Sequence, residues 1–288
     1  MIDLVAGRGE LTEAAWEWIE PLLPQVDGRG RPWRDHRQVV NGVLWRLRTG
    51  APWRDLPERY GPWQTVYERF ARWEADGTWA RLLEHVQVRD TTEGRVEWTV
   101  AVDSTIVRAH QHAAGARPKG APAGEPADHA LGRSRGGLTT KIHLAADGRC
   151  RPLAFVLTPG QAGDAPASPQ VMAAIRVGRP KGRPRTRPAV VLADKAYSSR
   201  AIREHLRRRK IKAVIPQPDD QVANRKRLGS KGGRPPAFDR EAYKQRNTVE
   251  RCINKLKQWR GLATRYDKTA TVYRAALHLA AIHIWTAR

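Results

Sequence analysis

Cysteine is almost missing from this sequence. Two residues in 288, Cys150 and Cys252, exclude a disulfide framework, and no C-x-x-C pair exists to hold zinc. Acidic side chains are scarce as well: 29 Asp and Glu stand against 52 Lys and Arg, a formal net charge of +23. A chain this basic calls for a polyanionic partner, nucleic acid first and an acidic membrane surface a distant second. Long apolar runs are also lacking. The most apolar stretch, 275–285, is too short to span a bilayer and carries His278 and His283. The first ten residues hold no apolar signal-peptide core. The expectation is a cytoplasmic, nucleoid-associated protein that engages no membrane. What is abundant is tryptophan, eleven residues within an apolar fraction of 40%, which argues for a folded chain. At roughly 150 residues per domain the length suits about two domains.

The first ninety residues read as short amphipathic helices. Thr12 is placed to cap a helix carrying Trp16, Ile19 and Leu23, ended by Pro24. A basic loop, 28–34, follows. Asp35 with Gln38 resembles a capping box ahead of the stripe Val39, Val40, Val43, Leu44 and Leu47, closed by Gly50. After Pro62 the residues Trp63, Val66, Tyr67, Phe70 and Trp73 repeat at helical spacing. Leu82, Leu83 and Val86 mark another helix. Residues 1–90 are therefore expected to form a helix-turn-helix-like DNA-binding module. Two of its loop residues, Trp33 and Trp53, are candidates for a surface role.

The period then changes. Val100, Val102, Ser104 and Ile106 alternate as in a strand, and 138–146 and 152–158 read as two more, joined by the turn signal Asp147-Gly148. A helix is expected within 163–177, confined to its later part by Pro166 and Pro169. The run Ala189-Val190-Val191-Leu192-Ala193 has the character of a parallel strand covered on both faces. A helix (199–209), a strand (211–215), a long helix (239–260) and a final amphipathic helix complete the pattern. Three basic loops interrupt it, at 113–137, 176–188 and 216–238. The order is that of a mixed α/β domain over 91–288.

Three acids stand where acids are awkward. Asp103 lies inside the first strand, and Asp is depleted in strands. Asp194 ends the apolar run, where an open α/β sheet has its ligand crevice. On the expected long helix, Tyr243, Arg246, Glu250 and Lys257 fall within roughly 60° of one another. Beside them Val249, Ile253 and Leu256 form an apolar face that would dock on the sheet. Taken singly, a strand Asp ordinarily pairs with an arginine or caps a turn. A helical Glu four residues after an Arg is ordinarily a solvated ion pair. Taken together, three carboxylates without paired Cys or His suit a hard cation, Mg2+ with Mn2+ as a substitute, and not zinc. Two such ions about 4 Å apart can activate a water or a 3′-hydroxyl at a phosphodiester. Arg246 and Lys257 would meet phosphates, and Tyr243 would stack on or bond to a terminal nucleotide.

The run Tyr243-x2-Arg246-x3-Glu250-x6-Lys257 resembles the Tyr-Arg-Glu-Lys signature of the insertion-sequence-four superfamily of DDE transposases. Residues 48–73, 102–116, 191–202 and 243–268 are similar to the insertion-sequence-five group within it. One departure is Ala196, where many relatives have Gly. The resemblance implies a ribonuclease H-like mixed sheet with flanking helices, with Asp103, Asp194 and Glu250 as a metal-holding catalytic triad. It also implies magnesium-dependent cleavage at terminal inverted repeats of double-stranded DNA, cut-and-paste strand transfer, and a homodimer on paired ends. Lys195, Arg133, Arg135 and Lys141 are further candidates for the DNA path. His110 and His112, just past the first strand, read either as DNA contacts or as plain loop residues; His129 and His143 have no zinc spacing. Two other classes remain open: a DNA-binding protein without catalysis, and a structure-specific nuclease of the same fold.

Overall fold

A computed structural model describes residues 9–25, 33–115 and 122–286. Most of the basic loop 28–34, and residues 116–121 of the loop 113–137, lie outside the described residues. The Thr12 hydroxyl accepts a hydrogen bond from the Ala15 N–H at 3.2 Å and starts α1, Glu13–Ile19. Asp35 starts α2, His36–Thr49, by accepting from the Arg37 N–H at 2.8 Å. The expected capping box does not close, because the Gln38 amide donates across to the Arg59 carbonyl at 2.7 Å. Gly50, left-handed at φ 71°, ends α2. A side chain there would also press on Arg260, 3.1 Å from where its Cβ would lie. Helices α3, Trp63–Ala75, and α4, Thr78–Thr92, follow. The predicted stripes are buried: Val39, Val40, Val43, Leu44 and Leu47 of α2, then Val66, Phe70 and Trp73, then Leu82, Leu83 and Val86.

Strand β1, Thr99–Ala109, is the spine of a seven-stranded mixed sheet. On one side β3, Gly137–Ala146, pairs with it antiparallel, Asp103 opposite Leu144. The outer edge of β3 is shared by β2, Gly132–Ser134, and β4, Pro152–Pro159, both antiparallel. The β3–β4 connection is the turn read at Asp147-Gly148. On the other side of β1 come β5, Val190–Leu192, and β6, Lys212–Val214, both parallel. The order β4-β3-β1-β5-β6, three antiparallel strands and then two parallel ones, is that of a ribonuclease H-like sheet.

Helix α5, Asp164–Ala174, covers β3 and β4; α6, Arg200–Arg208, connects β5 to β6. Then come α7, Asp219–Arg227, α8, Arg240–Tyr243, α9, Asn247–Lys257, and α10, Arg260–Ala263. The two-residue β7, Thr264–Arg265, joins the far end of β1, and α11, Ala270–Thr286, closes the chain. Helix α11 packs on α3 and α4, and its Trp285 indole donates to the Pro152 carbonyl at 2.7 Å. One hydrophobic core therefore runs from Leu11 to Trp285. No helix among the described residues is long and apolar enough to cross a membrane.

Four local expectations are corrected. The helix expected over 239–260 is broken: α8 is followed by a 3-10 turn, Lys244–Arg246, before α9 begins. Nothing in the local sequence forces that turn; it lies where Arg246 reaches across to the sheet. Helix α5 starts before Pro166, not after it, because a first-turn N–H has no intrahelical acceptor to lose. Part of the expected loop 216–238 is α7, with Asp219 and Asp220 in its first turn and Arg225, Lys226 and Arg227 in its last, an arrangement that suits the helix dipole. Ile106, expected on the buried face of the first strand, is 46% exposed. It lies beyond the stretch of β1 that β5 covers.

Candidate active site

The register of two parallel strands brings the aspartates together. Ala101 of β1 pairs with Leu192 of β5. Two residues onward along each chain stand Asp103 and Asp194. Asp194 keeps extended backbone past the end of β5, which carries the two aspartates level and, by the period-2 rule, onto one face of the sheet. Both carboxylates are held locally. Asp103 Oδ1 accepts from the Ser104 N–H at 2.8 Å, and Asp194 Oδ1 accepts from the Ala196 N–H at 2.9 Å, capping the 3-10 turn Lys195–Tyr197.

Glu250 arrives on α9. Val249, Cys252, Ile253 and Leu256 bury the face that docks this helix on β1 and β3 and leave Glu250 exposed at its start. The link to the sheet is Arg246. Its guanidinium donates to Asp103 Oδ2 at 2.7 Å and to Glu250 Oε1 at 2.8 Å. One arginine thus stands between two of the three acids.

The surroundings set the charge states. Burial pushes the Asp103 carboxyl above its ordinary range, and Asp194 and Glu250 add to the push; the Ser104 N–H and Arg246 oppose it without cancelling it. Burial works against the charge of Arg246, but Asp103, Tyr243, Glu250 and Asp194 hold its pKa above the ordinary value. Two residues passed over in the sequence reading belong here. Asp164, at the start of α5, accepts from the Ser104 hydroxyl at 2.6 Å and from Lys141 Nζ at 3.1 Å. Tyr197 is 2% exposed, and its hydroxyl has no hydrogen-bond partner among the described residues. Burial, then the charges of Asp164, Asp103 and Asp194, push that phenol far up. A tyrosine three residues after Asp194 was the available signal for it. Asp164 had only the helix-start pattern Gly163-Asp164.

The other predicted residues divide. Lys257 is half-buried and donates to the Ile106 carbonyl at 3.2 Å; burial pulls its pKa down. Tyr243 is half-buried, its ring tilted against Phe238 at 5.2 Å. Arg133, Arg135 and Lys195 are exposed. Lys141, expected on the DNA path, is buried, and its ammonium is committed to Asp164 and to the Ala162 carbonyl. His110 and His112 lie together past the end of β1, ring centroids 4.5 Å apart.

A divalent cation is the group this donor set fits. The ligands on offer are carboxylate oxygens alone, the choice of a hard ion. The Tyr197 hydroxyl, buried near them and without a hydrogen-bond partner among the described residues, stays protonated and is no ligand for a cation. Among the described residues no three His, Cys, Asp or Glu side chains are drawn tightly around one point; Arg246 stands against Asp103 and Glu250 instead.

The family model described as "Transposase DDE domain" matches residues 94–285, and one described as "Putative transposase of IS4/5 family" matches 11–83. Over 149 residues the chain is 32% identical to the "Putative transposase for insertion sequence element IS6501" of Brucella ovis, covering 51% of this chain and 98% of the relative. It is 34% identical over 164 residues to the "Putative transposase for insertion sequence element IS402" of Burkholderia cepacia, covering 57% and 66%. An uncharacterised Sinorhizobium fredii protein, y4sN, is 41% identical over 108 residues, 37% of this chain and 82% of that one. Among solved structures, a Mos1 transposase paired-end complex with the left transposon end aligns over 82% of each chain at 13% identity, with a TM-score of only 0.25. The fold assignment stands on strand order and the family match.

Proposed function

We infer the function from this premise: the chain belongs to the transposase DDE domain family. It is a DDE transposase, and a divalent metal is the cofactor its family implies. We propose Asp103, Asp194 and Glu250 as its catalytic carboxylates, Mg2+ as the ion they hold with Mn2+ as a substitute, and the terminal inverted repeats of an insertion sequence as its DNA. The observation that carries the reading is the placement of Asp103 level with Asp194 across a parallel strand pair, with Glu250 tied to the same spot through Arg246.

When bound, the metal supplies activation of a water or a 3′-hydroxyl and stabilises the leaving oxygen. The chain does the rest. The middle of β1 carries Asp103, the end of β5 leads into Asp194, and α9 brings Glu250 to the same side through Arg246. Arg246 supplies positive charge beside the carboxylates, where a phosphodiester would otherwise be repelled, and Lys257, two turns further along α9 at the Ile106 carbonyl, offers a second cation to the DNA. Tyr243, next to Arg246, offers a ring and a hydroxyl to a nucleotide at the DNA end. Lys195, Arg133 and Arg135, all exposed, extend the positive surface along the duplex. Paired ends call for two copies of the chain, and a homodimer on DNA is part of the proposal, as is residence with the nucleoid.

The test is a supercoiled donor plasmid that carries the DNA flanking the gene, incubated with protein and Mg2+. Wild type should excise the segment between the inverted repeats. Asp194→Asn and Glu250→Gln should bind the ends and cut them about a thousandfold less, since several kcal/mol of metal-borne stabilisation are lost. Full cutting by either variant rejects the triad.

A further inference from the structure

A concavity lies apart from the carboxylate cluster. A cleft of about 1260 Å³ opens between the N-terminal helices and the loop after β7. It is larger than the ~300–1,000 Å³ of ordinary small-molecule pockets. On one wall stand Trp53, Trp63 and Tyr67; on the other, His110, Tyr266 and Lys268. The aromatic walls are braced. Trp53 packs edge-on against Tyr67 at 5.4 Å and against Phe70 at 5.8 Å, and the His110 and Tyr266 rings lie 5.1 Å apart.

The charge of the lining has one sign. Asp267 is its one carboxylate among the described residues, and buried Arg46 occupies both of its oxygens, at 2.9 and 3.2 Å. Arg54, set over the Trp63 ring at 5.8 Å, and exposed Lys268 keep their charge without a carboxylate partner among the described residues. His110 and His112 add two ring nitrogen pairs at the mouth. Rigid rings on facing walls, uncompensated cations and no spare acid are what an unpaired nucleic-acid strand requires: bases stack on the rings and phosphates meet the cations. A duplex offers its rings to no side wall of this kind, because its bases are already stacked on one another.

We propose that this cleft binds unpaired nucleic acid, at a site separate from the carboxylates. His110 is seven residue steps beyond Asp103, so the two sites lie roughly 23 Å apart along β1 at ~3.3 Å per residue. The cleft deepens the proposed function, on which it rests for its ligand being DNA: a single strand of the substrate would run from the cutting site to this remote hold.

The experiment is fluorescence anisotropy with two probes, labelled single-stranded dT10 and a labelled duplex of arbitrary sequence, at one fixed salt concentration. Trp63→Ala should weaken dT10 binding about tenfold, the scale of one lost stacking partner. Lys268→Gln, on an exposed side chain that tolerates change, should weaken it severalfold. Both variants should bind the duplex within twofold of wild type. Equal losses on both probes, or no loss on dT10 with either variant, overturn the proposal while leaving the transposase reading intact. Displacement of dT10 by polyglutamate as readily as by unlabelled dT10 marks an acidic-peptide site and overturns it too. Wild type that binds neither probe overturns both readings.

Discussion

Asp103 is a residue the fold tolerates rather than one it needs. Its carboxyl is raised, so its ionised form is the unfavourable one in the folded chain. By linkage, stability is lost as pH rises through that folded value, because the unfolded chain gives up its proton more readily. Asp103→Asn should therefore raise the melting temperature at pH 7 and flatten the fall in stability above the ordinary aspartate range, as calorimetry over a pH series would show; on the proposed triad it should also abolish DNA cleavage. An unchanged or lower melting temperature would show that the bond to Arg246 outweighs the burial. Arg246 supports a second expectation. Its guanidinium competes with any cation for Asp103 and Glu250. Arg246→Gln should bind Mn2+ severalfold more tightly in the absence of DNA, by titration calorimetry, yet cleave at least a hundredfold less. Weaker Mn2+ binding would mean that the arginine holds the acids in place for the ion. At this scale the ordinary readings of the two acids are met: Asp103 pairs with an arginine, and Glu250 with the same one. The shared partner is what sets them apart from two unrelated ion pairs.

Between elements, buried charge does the joining. Glu74 of α3 is 7% exposed and accepts from Arg274 at 2.6 Å and bonds to His278 at 2.8 Å, both on α11. Burial opposes its charge, but His278 and Arg274 outweigh burial and hold the carboxyl below its ordinary range. That contribution is present above the unfolded pKa and is lost as pH falls through the folded one. Glu74→Gln should cost about 2 kcal/mol at pH 7 and make the acid limb of the stability curve shallower, as urea melts at pH 7 and pH 4 would show. On the other side of the core, Arg151 binds Asp147 in the β3–β4 turn and Asp90 of α4, and donates to the Arg95 carbonyl at 2.8 Å. The N-caps Thr12 and Asp35 and the apolar stripes of α1 to α4 were legible in the sequence, because each depends on residues within one or two turns. The break before α9 was not; it coincides with the contact of Arg246 to Asp103, 143 residues away, which no local spacing records.

For the whole molecule, a net charge of +23 sets the affinity for DNA and its fragility in salt. If six to ten phosphates are neutralised, affinity should fall roughly 10³–10⁵-fold between 50 and 200 mM salt. A duplex titration across that range that comes out flat would remove the basic surface from the account. The shared core carries a consequence for cutting the chain. Residues 11–83 and 94–285 match separate family models, yet α11 packs on α3 and α4. Removal of residues 1–90 would strip the apolar cover from α11, so DNA-end recognition is better dissected by point substitutions than by truncation.

The amino-acid sequence alone determined the class of partner, the helix and strand periods, and the acids that stand in awkward places. All of these are written in composition or in spacings shorter than one element. Of the apolar run 189–193, expected to be covered on both faces, Ala189 is exposed and Val190 half-buried. Only the tertiary structure decided that Asp103 and Asp194 are level, that Arg246 bridges two acids, that Lys141 serves Asp164 rather than an outer surface, and that two walls of aromatic rings face each other across a cleft. Those facts depend on inter-strand register and on how one element docks against another far along the chain. A one-residue slip in register turns a side chain to the opposite face, and no local spacing records which register was chosen.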